Sequence, residues 1–316
     1  MAIAIAPIRE VPFLPVPPAI TIRGLTKTYG DVEAVKGIDL TIETGEVFAL
    51  LGPNGAGKTT TVEILEGHRR RTSGEVSVLG FDPEHAAREF RERIGIVLQS
   101  SGINRELTVR ENLELFGAMY PTRRPVDEVI EIVGLEDKAD ARIKALSGGQ
   151  YRRVDLALGI IGDPELIFLD EPTTGFDPSA RRKSWALIDN LRSLGKTILL
   201  TTHYMDEAQN LADRVAVISG GSIVAEGTPE TLGGRDDGGS VVTFRVPPHT
   251  VGLPGVFSGH LAGDGTVSVE VEEVTHALHA LTTWAMSAGI DLESLTVTRP
   301  SLEDVYLQLT GDDRDE

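Results

Sequence analysis

No cysteine occurs among the 316 residues. Disulfides and thiolate metal sites are therefore excluded, and the chain suits a reducing compartment. Positive charge is scarce: 30 Lys and Arg face 48 Asp and Glu, for a net charge of −18. A chain so acidic is poorly suited to hold nucleic acid or anionic lipid through a general positive field. No apolar run approaches the roughly 18 residues that a membrane-spanning helix needs. The longest candidate, residues 156–169, is broken by Asp163, Pro164 and Glu165. The first 18 residues lack the basic start and unbroken apolar core of a signal peptide, and Pro7, Pro12, Pro15, Pro17 and Pro18 make them read as an extended lead-in. Internal repeats and low-complexity tracts are absent as well. What remains is ordinary globular composition, 41% apolar and 25% charged. The length fits one large domain and a small one.

Hydrophobic periodicity predicts strands at 19–23, 37–43, 46–51, 75–79, 94–98, 166–169, 197–201 and 215–218. Helices are expected at 58–66, 108–120, 126–133, 147–161 and 178–194. Alternating strands and helices imply a largely parallel sheet with helices on its faces, and the helical block near 100–165 reads as an inserted subdomain. The glycine- and aspartate-rich stretch 233–239 reads as a linker. Beyond it, strands at 241–246, 266–271 and 295–298 and helices at 274–288 and 301–309 predict a small α+β domain over 240–316. That domain holds 12 acidic and three basic residues, half of the chain's net charge. This reads as a solvated acidic surface. Leu302, Val305, Tyr306 and Leu309 form a three- and four-residue stripe able to bury one face against the core or a partner subunit.

Three constellations carry chemistry. Gly52, Pro53, Asn54, Gly55, Ala56, Gly57, Lys58 and Thr59 fit G-x-x-x-x-G-K-[ST] in full, between a predicted strand and a predicted helix, with Thr60 following. The glycines turn backbone amides inward as a nest for phosphate oxygens, and the helix dipole favours the same anion. Lys58 is placed to reach the β- and γ-phosphates of a nucleotide, and the Thr59 hydroxyl to bind Mg²⁺. The apolar run Leu166 to Leu169 ends in Asp170 and Glu171, carboxylates positioned to hold Mg²⁺ and to activate a water. Leu146, Ser147, Gly148, Gly149 and Gln150 open a helix with a hydroxyl and free amides, a second anion site or simply a cap.

Together with Thr201-Thr202-His203-Tyr204-Met205-Asp206-Glu207-Ala208, these segments follow the order found in the nucleotide-binding subunits of ABC transporters, which residues 20–230 resemble. The resemblance implies an α/β phosphate-loop ATPase core with an antiparallel β lobe and an inserted helical subdomain, and a second α+β domain behind it. It implies that Gln99 contacts Mg²⁺ and reports to a membrane subunit, that His203 contacts the γ-phosphate, and that Tyr29 stacks on adenine. It further implies a head-to-tail homodimer, each ATP lying between the phosphate loop of one copy and Ser147–Gln150 and Asp177 of the other. A separate membrane permease is implied too, with the chain at the cytoplasmic face of the membrane. Two positions depart from the common pattern: Phe176, where relatives usually carry Leu, and Asp155, on the 147–161 helix, which is expected to pair with a nearby arginine. The segment from Thr298 to Gly311 resembles the ending of daunorubicin/doxorubicin-resistance exporter ATPases, which implies export of a drug or lipid-like substrate. Alternatives are an importer ATPase, a soluble ABC ATPase acting on a macromolecule, and an ATP-binding module without turnover. Glu171 and His203 weigh against the last. The absence of zinc cysteines, long coiled coils and a second ATPase core weighs against the soluble enzyme.

Overall fold

The computed structural model describes residues 16–85, 87–97, 102–232, 239–298 and 302–310. Gln99 and linker residues 233–238 lie outside the described residues. Three sheets organise the rest.

The first is antiparallel, in the order β2 (Val32–Ile42), β1 (Ile20–Tyr29), β4 (Ser73–Val78). Strand β1 runs well beyond the expected 19–23 segment. Register shifts between Ile22 and Leu25, with Gly24 in the left-handed region, break the alternation that marks a strand in sequence.

The second sheet has six strands. Its order is β5 (Ile94–Val97), β6 (Leu166–Asp170), β7 (Thr197–Thr202), β3 (Val47–Leu51), β8 (Arg214–Ser219) and β9 (Ser222–Gly227). Five strands are parallel, and β9 returns antiparallel to β8 through Gly220 and Gly221. Strand β3 is buried along its whole length. Val47, Ala49 and Leu51 enter one core cluster, and Phe48 and Leu50 the other. A strand covered on both faces reads as an unbroken apolar run, which is what β3 and the first four residues of β6 show, while β7 buries three threonines beside its apolar centre.

The cluster holding Phe48 and Leu50 joins the central sheet to the antiparallel lobe and to α1 (Lys58–Leu65). The opposite face carries α3 (Val109–Gly117), α4 (Val126–Ile132), α5 (Gly148–Ile160), α6 (Pro178–Ser193) and α7 (Met205–Leu211). A capping box starts α3: Thr108 Oγ1 accepts from Glu111 N at 3.1 Å, and Thr108 N donates to Glu111 Oε2 at 2.8 Å. Two helices had no periodic signal. In α2 (Arg88–Arg93) only Phe90 is buried, and α7 buries a glutamate beside Ala208 and Leu211.

The third sheet, β11 (Thr266–Val271), β10 (Ser240–Arg245), β12 (Glu293–Thr298), is antiparallel. Its apolar face packs with α8 (Val274–Ala288) around Val242, Phe244, Phe257 and Leu281. Trp284 lies against this cluster, and Gly289 ends α8 in the left-handed conformation of a helix C-cap. The last helix, α9 (Leu302–Thr310), leaves that domain and packs on α7 and β9. Leu302 and Tyr306 join the core on one face of the six-stranded sheet, and Val305 is buried with them. The apolar stripe expected from sequence thus docks on the chain's own core. The Leu309 side chain lies outside the described residues. Burying Leu302 alone contributes about 1.5–3 kcal/mol, as an upper estimate.

Candidate functional site

Strands β6, β7 and β3 are neighbours and run parallel, so their carboxyl ends share one edge. Ligands in open α/β sheets bind at that edge. The phosphate loop follows β3, the Asp170–Glu171 pair ends β6, and His203 follows β7.

The loop is built on close backbone contact. A Cβ at Gly57, whose φ is 108°, would come within 2.6 Å of Ala34 O, and one at Gly52 would collide with Ile218 O. Neither position tolerates a side chain. Lys58, 5% exposed, folds its ammonium back into the loop. Its Nζ donates to Gly52 O at 2.6 Å and to Pro53 O at 3.1 Å. Burial pulls its pKa below the usual lysine value, against the opposing pull of the Glu171 and Asp170 charges. Thr59 is exposed at the mouth of the loop, and Thr60 is half-buried.

Asp170 and Glu171 are organised by one hydroxyl. In the parallel register Asp170 lies opposite Thr201. Thr201 Oγ1 donates to Asp170 Oδ1 at 2.6 Å and accepts from Glu171 N at 3.1 Å. Glu171 has a φ of 45°, a left-handed geometry that costs a non-glycine residue about 1–2 kcal/mol. Its carboxylate accepts from Thr174 Oγ1 at 3.0 Å on Oε2. On the other side His203 Nδ1 lies 3.4 Å from Oε1, close but without hydrogen-bond alignment. The His203 ring packs against Tyr204 at 4.1 Å, and Arg181 lies over Tyr204. Carboxylate and imidazole therefore stand side by side, with the lysine near enough for the carboxylate charges to act on it, an arrangement able to orient a water against a phosphoryl group.

The other sequence-derived residues fall elsewhere. Tyr29 ends β1 on the antiparallel lobe, 39% exposed, with the Lys27 ammonium 4.8 Å and the Arg69 guanidinium 5.3 Å from its ring centre. Ser147 caps α5: its Oγ accepts from Gln150 N at 3.3 Å, and its N donates to Gln150 Oε1 at 3.0 Å. Asp177 caps α6 through Ser179 N at 2.8 Å and Ala180 N at 2.9 Å, bonds that hold its carboxyl below the ordinary aspartate range. Ser147, Gly148, Gly149, Gln150 and Asp177 line one open cleft of about 460 Å³, and Lys58 and Thr59 are not part of it. The chain brings its Ser147–Gln150 segment, the signature of the family it resembles, and its phosphate loop to separate places. Asp155 is buried on α5, and Arg152 Nη1 lies 3.8 Å from its Oδ2, the arginine neighbour expected from sequence.

Thr201, Thr174 and Glu66 were not singled out by sequence reasoning. Thr201 had no usable signal, because only the β6–β7 register places it opposite Asp170. Glu66 had none either. It is buried at the end of α1, 3.2 Å from His68 Nδ1, and burial, with Asp170 and Glu63 nearby, pushes its carboxyl up to about 8. The folded protein therefore keeps Glu66 protonated where the unfolded chain ionises it. Its contribution to stability falls as pH rises from about 4.5 to about 8, by up to about 1.4 kcal/mol per pH unit. Glu66→Gln is expected to flatten that slope in urea melts from pH 5 to 8 without nucleotide or Mg²⁺. Parallel slopes in the two proteins would contradict it.

Among the described residues no helix is long and apolar enough to cross a membrane, and no cluster of three His, Asp or Glu side chains forms a preformed metal site. Comparison with known proteins agrees with the geometry. The ABC transporter family model matches residues 35–174, and a model of the C-terminal domain of ABC transporter domain-containing proteins matches 240–301. The daunorubicin resistance ATP-binding protein DrrA3 of Streptomyces coeruleorubidus is 39% identical over 94% of this chain and 97% of its own length. The Nod factor export ATP-binding protein I of Rhizobium meliloti (strain 1021) is 41% identical over 93% of this chain and 88% of its own. Among solved structures, cbiO1 of Clostridium perfringens, part of the ABC transporter complex cbiONQ, superimposes with a TM-score of 0.63 at 30% identity, over 68% of this chain and 90% of its own. An ATP-binding cassette solved as a dimer in a post-hydrolysis state with ADP and Pi gives 0.59 at 28% identity, over 66% and 98%. Matched over nearly its whole length, the chain belongs to the ABC transporter ATP-binding family, ATPases coupled to transport.

Proposed function

We propose that the chain is the ATP-hydrolysing subunit of an exporter, paired with a second copy of itself and with a separate membrane permease at the cytoplasmic face of the membrane. The observation that carries this reading is the convergence of Lys58, Asp170, Glu171 and His203 at the ends of three adjacent parallel strands. Lys58 and the loop amides take the β- and γ-phosphates. Glu171 accepts the proton of the attacking water, with His203 beside it at the γ-phosphate. Tyr29 lies under the adenine.

Thr59 and Asp170 offer a hydroxyl and a carboxylate, an all-oxygen donor set that suits Mg²⁺; Gln99 is the third donor in this reading. Bound there, Mg²⁺ would neutralise charge on the β- and γ-phosphate oxygens. The chain's own residues do the rest: Thr201 fixes Asp170, and Thr174 and Thr201 fix Glu171.

Ser147–Gln150 and Asp177 complete the site of the second copy, which accounts for their distance from the phosphate loop of their own chain. A two-fold, self-complementary pairing then gives two sites per dimer. Export, of a drug or a lipid-like molecule, is supported by relatives named for daunorubicin resistance and Nod factor export. An acidic C-terminal domain is repelled by anionic lipid, so attachment runs through the permease.

The test uses inside-out membrane vesicles holding the chain and the permease that co-purifies with it. ATP-dependent accumulation of daunorubicin or a fluorescent phospholipid inside the vesicles is expected. Uptake that runs the other way and requires an added substrate-binding protein would make the chain an importer subunit.

A further inference from the structure

Glu171 stands in a left-handed conformation, and a non-glycine residue keeps that geometry only where its surroundings enforce it. Its amide is held from β7, by Thr201 O and Thr201 Oγ1 at 3.1 Å each. The carbonyls of the residues before and after it are held from a different element. Arg152, in the second turn of α5, points Nη2 at Asp170 O, 3.2 Å away, and Nε at Pro172 O, 3.4 Å away. One planar guanidinium thus spans the two carbonyls that flank Glu171. Its remaining nitrogen, Nη1, faces Asp155 Oδ2 at 3.8 Å, one turn further along the helix. The side chains of Arg152 and Asp155 are 13% and 2% exposed.

Burial works against the charge on Arg152, and Asp155, Asp170 and Glu207 oppose that effect. A buried cation of this kind needs compensation, and the two carbonyls and the carboxylate supply it. The fork is particular to arginine, because a lysine ammonium is a point charge without paired donors in a plane. Helix α5 also begins at Ser147, so the residue that grips the Glu171 backbone and the signature turn ride on one rigid element.

We propose that Arg152 is a positioning residue for ATP hydrolysis. It fixes the backbone of Glu171 through the carbonyls of Asp170 and Pro172, and so links the direction of the Glu171 carboxylate to the position of the signature helix. The inference rests on the reading of Glu171 as the base. Displacing a reacting group by about 1 Å costs on the order of 10²-fold in rate, so loss of the fork acts on the chemical step more than on binding.

The experiment measures γ-phosphate release and ATP affinity for the full chain and for Arg152→Met, Arg152→Lys, Glu171→Gln and the double variant Arg152→Met/Glu171→Gln, with thermal melting as a check on folding. Arg152→Met is expected to lower kcat by about tenfold or more. KM for ATP should stay within about twofold, and the melting temperature should fall, because buried Asp155 loses the cation it faces. Arg152→Lys keeps a cation beside Asp155 but not the fork, so it stays slow. It decides the question if Arg152→Met does not fold. In the Glu171→Gln background, Arg152→Met should add less than about twofold, because the group through which it acts is gone. Full multiplication of the two losses, or a loss of ATP affinity that tracks the fall in kcat, would assign Arg152 a structural role and overturn the inference. So would parental turnover in the folded arginine variants while Glu171→Gln is slow. Parental turnover by Glu171→Gln would instead overturn the reading of the base, and the inference with it.

Discussion

Glu171→Gln is expected to bind ATP, close into a dimer and then stall, with turnover lowered by about 10²-fold or more. The amide has the shape of the carboxylate and can still meet the Thr174 hydroxyl, which sits 3.0 Å from Oε2. What it loses is basicity. The water to be activated would have no carboxylate to take its proton, because Asp170 already accepts from Thr201 at 2.6 Å and is assigned to the metal. Lys58 keeps its place in the loop, so affinity for ATP should change little. With binding intact and hydrolysis blocked, the nucleotide remains as an interface ligand, and the pairing equilibrium shifts toward the dimer by mass action. Gel filtration with MgATP should show the variant at twice the monomer mass, where the parent returns to monomer as ATP is spent. Normal turnover would mean that a different group activates the water, and a monomeric elution with bound ATP would remove the head-to-tail arrangement.

Much of this site was legible in the sequence because its parts are contiguous. The phosphate loop, the apolar run ending in Asp170 and Glu171, and the pentapeptide at Ser147 are each encoded within a few residues, and each landed on the expected strand end or helix start. Groups that act across strands were not legible. The Thr201 hydroxyl meets Asp170 only because β6 and β7 pair in a particular register, and no sequence period encodes that register. Glu66 looks like a polar residue at a helix end and becomes a buried acid only when the lobes pack. Strand β1 was cut short at Arg23 because a bulge changes which face its side chains address. Strand β9 carried a usable sign in Gly220–Gly221, a dipeptide that marks a hairpin. Helix α9 was legible as an amphipathic element, but its return to the ATPase core depends on the path of the intervening chain.

Lys58→Ala is expected to act on the opposite side of the cycle, by weakening the hold on the nucleotide before any chemistry. In the folded chain the Lys58 ammonium is buried and occupied by two carbonyls of its own loop, Gly52 O and Pro53 O. Neither is a charged partner, and burial has already lowered its pKa. The cation is therefore held by neutral carbonyls, with the Asp170 and Glu171 charges acting on it, and meets the anionic β- and γ-phosphates at the cost of two modest hydrogen bonds. A charge-assisted hydrogen bond contributes about 1.5–3 kcal/mol, so removing it is expected to weaken MgATP by roughly 10- to 10²-fold. The backbone nest and the α1 dipole remain and account for the residual affinity. Alanine also takes a desolvated cation out of the interior, so the nucleotide-free variant should melt no lower than the parent. The distinguishing measurement is the rise in melting temperature on adding MgATP. That rise follows the ratio of ligand to Kd, and the variant should show it only at 10- to 10²-fold higher nucleotide concentration. An unchanged rise together with parental hydrolysis would show that the amides alone carry the phosphates, and that the burial of Lys58 serves the fold.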